Sequence, residues 1–307
     1  MTLRTQLPEA GASNYSTASP IDFARLRLAA RFACGRTLRR GRSGELSARL
    51  LALLMLIATL ASATREASAA VNSIELDLYG RLLERHTRVV ADTAGTRVDY
   101  AALRADPEWR RLLEGLAAAP TPAASAAQAE RLAYWINAYN MLAIDMVVRN
   151  YPVAGIRDIG SLLRPVWKRD AGKAGGRAVT LDEIEHAILR PIGDPRVHVA
   201  IVCASTSCPS LAREPFRAER LDAQLDAAAR AFIASPGKGA RVESRSLRVS
   251  KIFQWFGPDF AASGGVLAFV RRHATPDLRA AIDQLGPEPQ LIFFDYDWSL
   301  NGIGRPS

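Results

Sequence analysis

Cysteine is scarce in this chain. Three occur in 307 residues, at Cys34, Cys203 and Cys208, too few for the stapled framework of a small disulfide-rich scaffold. Histidine is almost as rare, with four. No CxxC or HxxxH spacing is present, so the sequence gives no support for a zinc site and no metal is expected. The glycine-containing stretches GSLL at 160 and GKAGGR at 172 lack the flanks of a phosphate-binding loop, and no dinucleotide fingerprint occurs, so no cofactor is expected. Lysine is confined to Lys168, Lys173, Lys238 and Lys251. Arginine carries the remaining positive charge, which reads as base composition rather than function. No internal repeat is visible, and no apolar run reaches the roughly 20 residues that cross a bilayer comfortably.

The longest charge-free stretch is LLALLMLIATLASAT, residues 50–64. It follows Arg39, Arg40, Arg42 and Arg49 and leads into Ala67-Ser68-Ala69-Ala70. Basic, apolar and small-residue segments in that order describe a secretory signal. Residues 1–70 are therefore expected to be an N-terminal extension plus signal peptide, cleaved after Ala69 or Ala70. The mature protein is expected to be periplasmic or secreted, with no stable membrane span. Arg39-Arg40 leaves twin-arginine export open beside ordinary secretion. The signal is complete from about Leu38, so residues 1–36 fit a translation start set too far upstream. Residues 1–69 hold 10 basic and 4 acidic side chains, so +6 of the formal +9 leaves with them. The rest is too weakly basic to suggest nucleic-acid binding; the expected partner is an unidentified ligand or cell-envelope component. Cys34 leaves too, and the mature chain keeps the even pair Cys203 and Cys208.

Residues 71–307 suffice for one substantial domain. Periodicity predicts helices over 74–90, around Trp109–Leu116, and over 128–149, 179–190, 218–234, 250–260, 264–273 and 276–285. Extended segments are predicted at 98–100, 196–202, within 240–249 as a hairpin, and at 290–296. The expected class is α+β, a helix-rich single domain around a small central sheet. Residues 128–149, QAERLAYWINAYNMLAIDMVVR, are apolar almost all round and mark a central helix. Asn137 and Asn140 flank its apolar face and are expected to bond neighbouring backbone, because buried amides without partners are costly. Thr180 and Glu183 form a capping box for the 179–190 helix.

RVHVAIVCASTSCPSL, residues 196–211, reads as a buried strand entering a polar loop. That places His198 on the strand, Cys203 at its end and Cys208 before Pro209. A thiol site requires a base and an acid to orient it. His186 and His198 are the candidate bases; Glu185, Asp295 and Asp297 are the candidate acids. On a regular strand His198 and Cys203 face opposite sides, which favours His186 as the partner. Glu185 and His186 are about 100° apart on a helix and should diverge. Cys208, with Ser207 as cap and Pro209 in the first turn, would sit at a helix N-terminus, where the dipole lowers a thiol pKa. Simpler readings stand beside these. Cys203 and Cys208 can form a disulfide or fill the core, His198 can be a hydrogen-bonded core histidine, and Glu185 can pair with an arginine. Trp255, Phe256 and Phe260 read as core. A papain- or transglutaminase-like plan finds its His in RVHVAI and its Asp in YDWSLN. It has Asn137 where the helix cysteine would be, so it remains a fold-level analogy.

Five segments occur in order: YWINAYNMLAI at 134–144, LDEIEHAILR at 181–190, DPRVHVAIVCASTSCPSL at 194–211, SKIFQWFGPDF at 250–260 and YDWSLNG at 296–302. Together they resemble the domain-of-unknown-function 547 family in its bacterial, exported branch, over roughly residues 75–302. That family carries no assigned activity. The resemblance implies weight on Cys203 and on the Glu185-His186 pair, and less on Cys208 or an obligatory disulfide. Two functional expectations follow. One is a cleft built from Glu185, His186, His198 and Cys203, serving a thiol-dependent hydrolase or acyltransferase. The other is a non-catalytic envelope binding or scaffold domain stapled by Cys203–Cys208.

Overall fold

The computed structural model describes residues 75–304 apart from residue 162, all within one unit of the chain. The signal segment and Cys34 lie outside the described residues. Elements run α1 (Leu76–His86), β1 (Thr87–Val89), β2 (Thr96–Val98), α2 (Tyr100–Ala105), α3 (Pro107–Ala118) and α4 (Gln128–Asn150). Then come β3 (Asp170–Ala174), β4 (Arg177–Thr180), α5 (Leu221–Ile233), β5 (Ala240–Glu243), β6 (Ser246–Val249) and α6 (Lys251–Trp255). The series ends with α7 (Gly265–His273), α8 (Pro276–Gln284) and β7 (Gln290–Phe293). The fold is α+β and helix-rich. Its strands are divided among two hairpins, β1–β2 and β3–β4, and a three-stranded sheet in the order β5-β6-β7. Among the described residues, no helix is long and apolar enough to cross a membrane.

Helix α4 is the axis. Leu132, Ile136, Ala138, Met141 and Val147 are all buried. The first hydrophobic cluster gathers α1, α2, α3 and β3 around this helix. A second cluster joins Phe232, Phe253, Phe260 and Phe269 to Leu247 and Val249 of the three-stranded sheet. Residues 197–202 lie between the two: Val199 packs in the second cluster, while Val197 and Ala200–Val202 pack in the first.

That position explains a departure from the strand expected there. Residues Pro195–Val199 form a 3-10 helix instead. The Asp194 side chain accepts from Arg196 N, and Pro195 occupies the first turn. This is a helix-start signal, and it overrides the β preference of Val197 and Val199. A helical turn also sends side chains in several directions, so one short segment fills both clusters.

Other boundaries differ for similarly local reasons. The first helix ends at His86, and residues 87–89 form β1. In the expected capping box, Thr180 Oγ1 accepts from Glu183 N at 3.0 Å. The Glu183 carboxylate pairs with Arg177 instead, and residues Glu183–Leu189 take π-helical form. Pro209 opens no helix; the next helical turn begins at Ala218.

Two carboxamides bind α4 to irregular backbone. Asn137 Nδ2 donates to Phe216 O at 2.7 Å, and Phe216 N donates to Asn137 Oδ1 at 3.0 Å. Asn140 Nδ2 donates to Ala200 O at 3.0 Å, and Val202 N donates to Asn140 Oδ1 at 2.8 Å. Each amide thus closes a two-bond ring with a buried loop that has no ladder partner of its own there. Asn137→Ala should lose about 2–4 kcal/mol, because it strands a buried N–H and a buried C=O. Urea denaturation measures this, with the exposed Trp255→Ala expected to change stability far less.

Candidate functional site

Cys203 and Cys208 are both free thiols, the first half-buried and the second buried. Their sulfurs lie 2.8 Å apart. Cys203 N also donates to Cys208 Sγ at 2.8 Å. Around Cys203 Sγ stand Ser205 Oγ at 3.1 Å and the Tyr296 hydroxyl at 3.3 Å. Hydrogen bonding from Cys208 draws the Cys203 thiol down, helped by Ser205 and Tyr296 and opposed by burial. Burial pushes the Cys208 thiol up, and its contact with Cys203 adds to the rise. Between the two neutral thiols Cys203 Sγ is the donor to Cys208 Sγ; once the pair loses one proton, the raised Cys208 keeps the one that remains and the charge falls on Cys203.

A left-handed residue makes this possible. Ala204 has φ +59° although it is buried and is not glycine. The turn brings Ser205 back over the sulfur and presents Ala204 O to Asn301 N at 3.0 Å. Thr206 N donates to Ser299 O at 2.8 Å and Ser207 N to Asp297 O at 3.2 Å. The segment 297–301 thus grips the cysteine loop from outside, while Asn140 holds it from inside.

Cys203 lies on a cavity of about 320 Å³. Glu185, His186 and His198 line it together with Tyr139, Trp167, Trp255, Phe256, Tyr296 and Trp298. All four residues expected at the site therefore share one cavity, in unequal roles. Glu185 is buried, with Tyr139 Oη donating to it at 3.5 Å. Burial raises its carboxyl to about 7, the negative charge of Cys203 raises it further, and Arg190 opposes. Among the described residues no arginine forms an ion pair with it. Its neighbour His186 is exposed, its ring 6.2 Å from Phe256. The expected divergence of the two is relaxed by the π-helix, whose wider turn leaves a smaller angle between successive side chains.

His198 is more deeply placed. Nε2 bonds Asp259 Oδ2 at 2.7 Å, and the ring stacks on Phe256 at 4.2 Å. Arg190 grips the same carboxylate with two bonds, at 2.6 and 2.8 Å. This arginine holds Asp259 down at about 2, with His198 assisting. Desolvation lowers His198 itself. A neutral ring therefore gives its Nε2–H to Asp259, which leaves Nδ1 buried and without a partner. Among the described residues, neither histidine hydrogen-bonds Cys203.

Several expectations shift. The acid that orients a histidine is Asp259, not Asp295 or Asp297; the motif FQWFGPDF contained it, but nothing in the spacing linked it to His198. Asp297 accepts from Ser299 N instead. Cys208 has no helix N-terminus to lower its thiol. Phe260 is core, but Trp255 is exposed and lines the cavity with Phe256. Ser205 and Tyr296 were not singled out in the sequence, although both fall within the recognised motifs. Among the described residues no group of three His, Cys, Asp or Glu side chains is placed to hold a metal ion.

A family model described as "Protein of unknown function, DUF547" matches residues 123–233. The match contains α4, Glu185, His186, His198 and both cysteines; Asp259, Tyr296 and the Trp255–Trp298 wall lie beyond it. No curated protein and no solved structure matches the chain.

Two outcomes follow from the geometry. Ala204→Val should destabilise by about 1–3 kcal/mol, because a β-branched residue is strained at positive φ; Ala204→Gly should be tolerated, both read from denaturation midpoints. Glu185 has its folded pKa raised from 4.5 to about 7. Its contribution is therefore full below about 4.5 and is lost as pH rises through about 7. Glu185→Gln should remove that loss, a difference on the order of 3 kcal/mol at pH 8, measured as stability against pH for the two proteins.

Proposed function

We propose that this chain, whose residues 123–233 match the DUF547 family model, is an exported thiol-dependent hydrolase or acyltransferase with Cys203 as nucleophile. The observation that carries the reading is a half-buried Cys203, its thiol drawn down by hydrogen bonds, on the wall of an aromatic cavity, with the raised carboxyl of Glu185 lining the same space. Thiolate attack on a substrate acyl carbon forms an S–C bond and a tetrahedral oxyanion. Collapse to a thioester breaks the bond to the leaving amine or alcohol, which takes its proton from Glu185. Water or an acceptor nucleophile then attacks the thioester, gives its proton back to Glu185 and releases the Cys203 thiolate. A carboxyl poised near neutrality suits both halves of that cycle.

Other residues support the chemistry. Tyr296 is held protonated, because burial and the charge of Cys203 push its pKa well up. It therefore remains a hydrogen-bond donor toward the sulfur. His198 braces the cavity wall through Asp259 and Arg190, and His186 stands at the exposed edge. Trp167, Trp255, Phe256 and Trp298 favour a substrate with an apolar or aromatic portion.

The 2.8 Å sulfur contact also supports a second reading, a non-catalytic envelope binding domain. In an oxidising compartment the pair would lose two hydrogens and become a structural disulfide.

Alkylation by iodoacetamide separates the two. On native protein, labelling should occur at Cys203, with a pH midpoint at about 7, and Cys203→Ser should abolish it. A midpoint near the ordinary thiol value of about 8.5 overturns the thiol-enzyme reading, as does a native protein isolated fully oxidised whose reduction changes stability alone.

A further inference from the structure

Lys238 is one of the most completely buried large side chains, at 2% exposure. It stands in the tight turn between α5 and β5, where Gly239 N donates to Ser235 O at 2.7 Å. Its Nζ donates to Ala94 O at 2.9 Å, Cys208 O at 2.7 Å and Ser210 Oγ at 3.2 Å. Three donors meet three acceptors, so hydrogen bonding is complete. All three acceptors are uncharged, and among the described residues no carboxylate lies within ion-pair distance of Nζ. A buried ammonium is normally paired with an anion, and this one is not.

Few groups around it could supply the counter-charge. The titratable groups acting on Lys238 are Cys208, Asp92 and Cys203. Asp92, on the β1–β2 turn, is already committed: Arg97 Nε donates to it at 2.7 Å and Ala94 N at 2.9 Å. The cysteine loop remains, and the ammonium is bonded to that loop's own backbone at Cys208. We propose that Lys238 is the counter-ion of the Cys203–Cys208 pair, a positioning residue that keeps one negative charge on the two sulfurs. The inference rests on the thiol reading above and adds the source of the positive charge, which no histidine supplies by contact.

The arrangement has a physical logic. Lys238 does not line the cavity that Cys203 faces, so the space for a substrate stays clear of it. Its bonds to Ala94 O, Cys208 O and Ser210 Oγ also hold the β1–β2 turn against the loop. Burial lowers the ammonium toward about 8, and the sulfurs oppose that fall. Lysine and thiol therefore titrate against one another: each stabilises the charge of the other, and removal of either must shift the survivor.

The test reads both directions on the native chain. In Lys238→Met, the midpoint for iodoacetamide alkylation of Cys203 should rise from about 7 by about one unit or more, with labelling at pH 7 slowed roughly fivefold or more. A wild-type midpoint near 7 that Lys238→Met leaves unchanged overturns this inference alone. A wild-type midpoint already at the ordinary thiol value overturns the thiol reading itself. Should Lys238→Met fail to fold, Cys203→Ala decides the matter from the other side. With ¹⁵N-labelled lysine, the Lys238 midpoint by NMR should drop below its wild-type value of about 8; an identical midpoint overturns the proposal.

Discussion

Everything near the thiols depends on carboxamides carried by a buried helix. Residues 200–202 and 216 are irregular backbone inside the protein, where each unpaired N–H or C=O carries a desolvation cost. Asn140 and Asn137 supply the missing partners from α4, each with one donor and one acceptor. Leucine at either position would suit the apolar surroundings and leave the loop without partners. The rigid element thus lends its regularity to the irregular one, and the loop in turn sets the directions of Cys203, Ala204 and Ser205. Reactive side chains held this way need no strand beneath them.

Charge is distributed with similar economy. Two ionised groups, Arg190 and Asp259, neutralise one another at the edge, while burial keeps the His198 ring beside them uncharged. Glu185 lies close enough to Cys203 for the two negative charges to oppose each other, which favours one proton and one charge across that pair. Cys208 and Tyr296 stay protonated because burial raises both. The resulting state has a single negative charge on the half-buried Cys203 sulfur, surrounded by donors. Such a state suits attack on an electrophile more than it suits passive packing.

Much of the frame was legible in the chain. The all-round apolarity of 128–149 identified α4 as central, and Ser250, Thr275-Pro276 and the 240–249 alternation marked real starts and turns. The cysteine segment departs from the expected strand because the helix start at Asp194-Pro195 and burial between two clusters override the propensity of its β-branched residues. The site was partly legible. Unusual residues such as Cys203, His186 and Glu185 could be singled out, and they share a cavity. Asp259, Ser205 and Tyr296 could not, since their importance lies in contacts across 61, 2 and 93 residues of sequence, and common residue types announce nothing by themselves. Lys238 stands out only once its burial is known.

The grip of residues 297–301 on the cysteine loop has a consequence for the lifetime of the protein. Backbone bonds from Asp297, Ser299 and Asn301 fasten Ser207, Thr206 and Ala204, and Asn301 O also receives Val98 N. A single endoproteolytic nick between Trp298 and Gly302 would sever that stitching while detaching at most Leu300 from the first hydrophobic cluster and leaving the second covalently whole. The helices would persist with Cys203 unfastened. Shedding a few residues is therefore a route to loosening the cysteine loop without unfolding its scaffold.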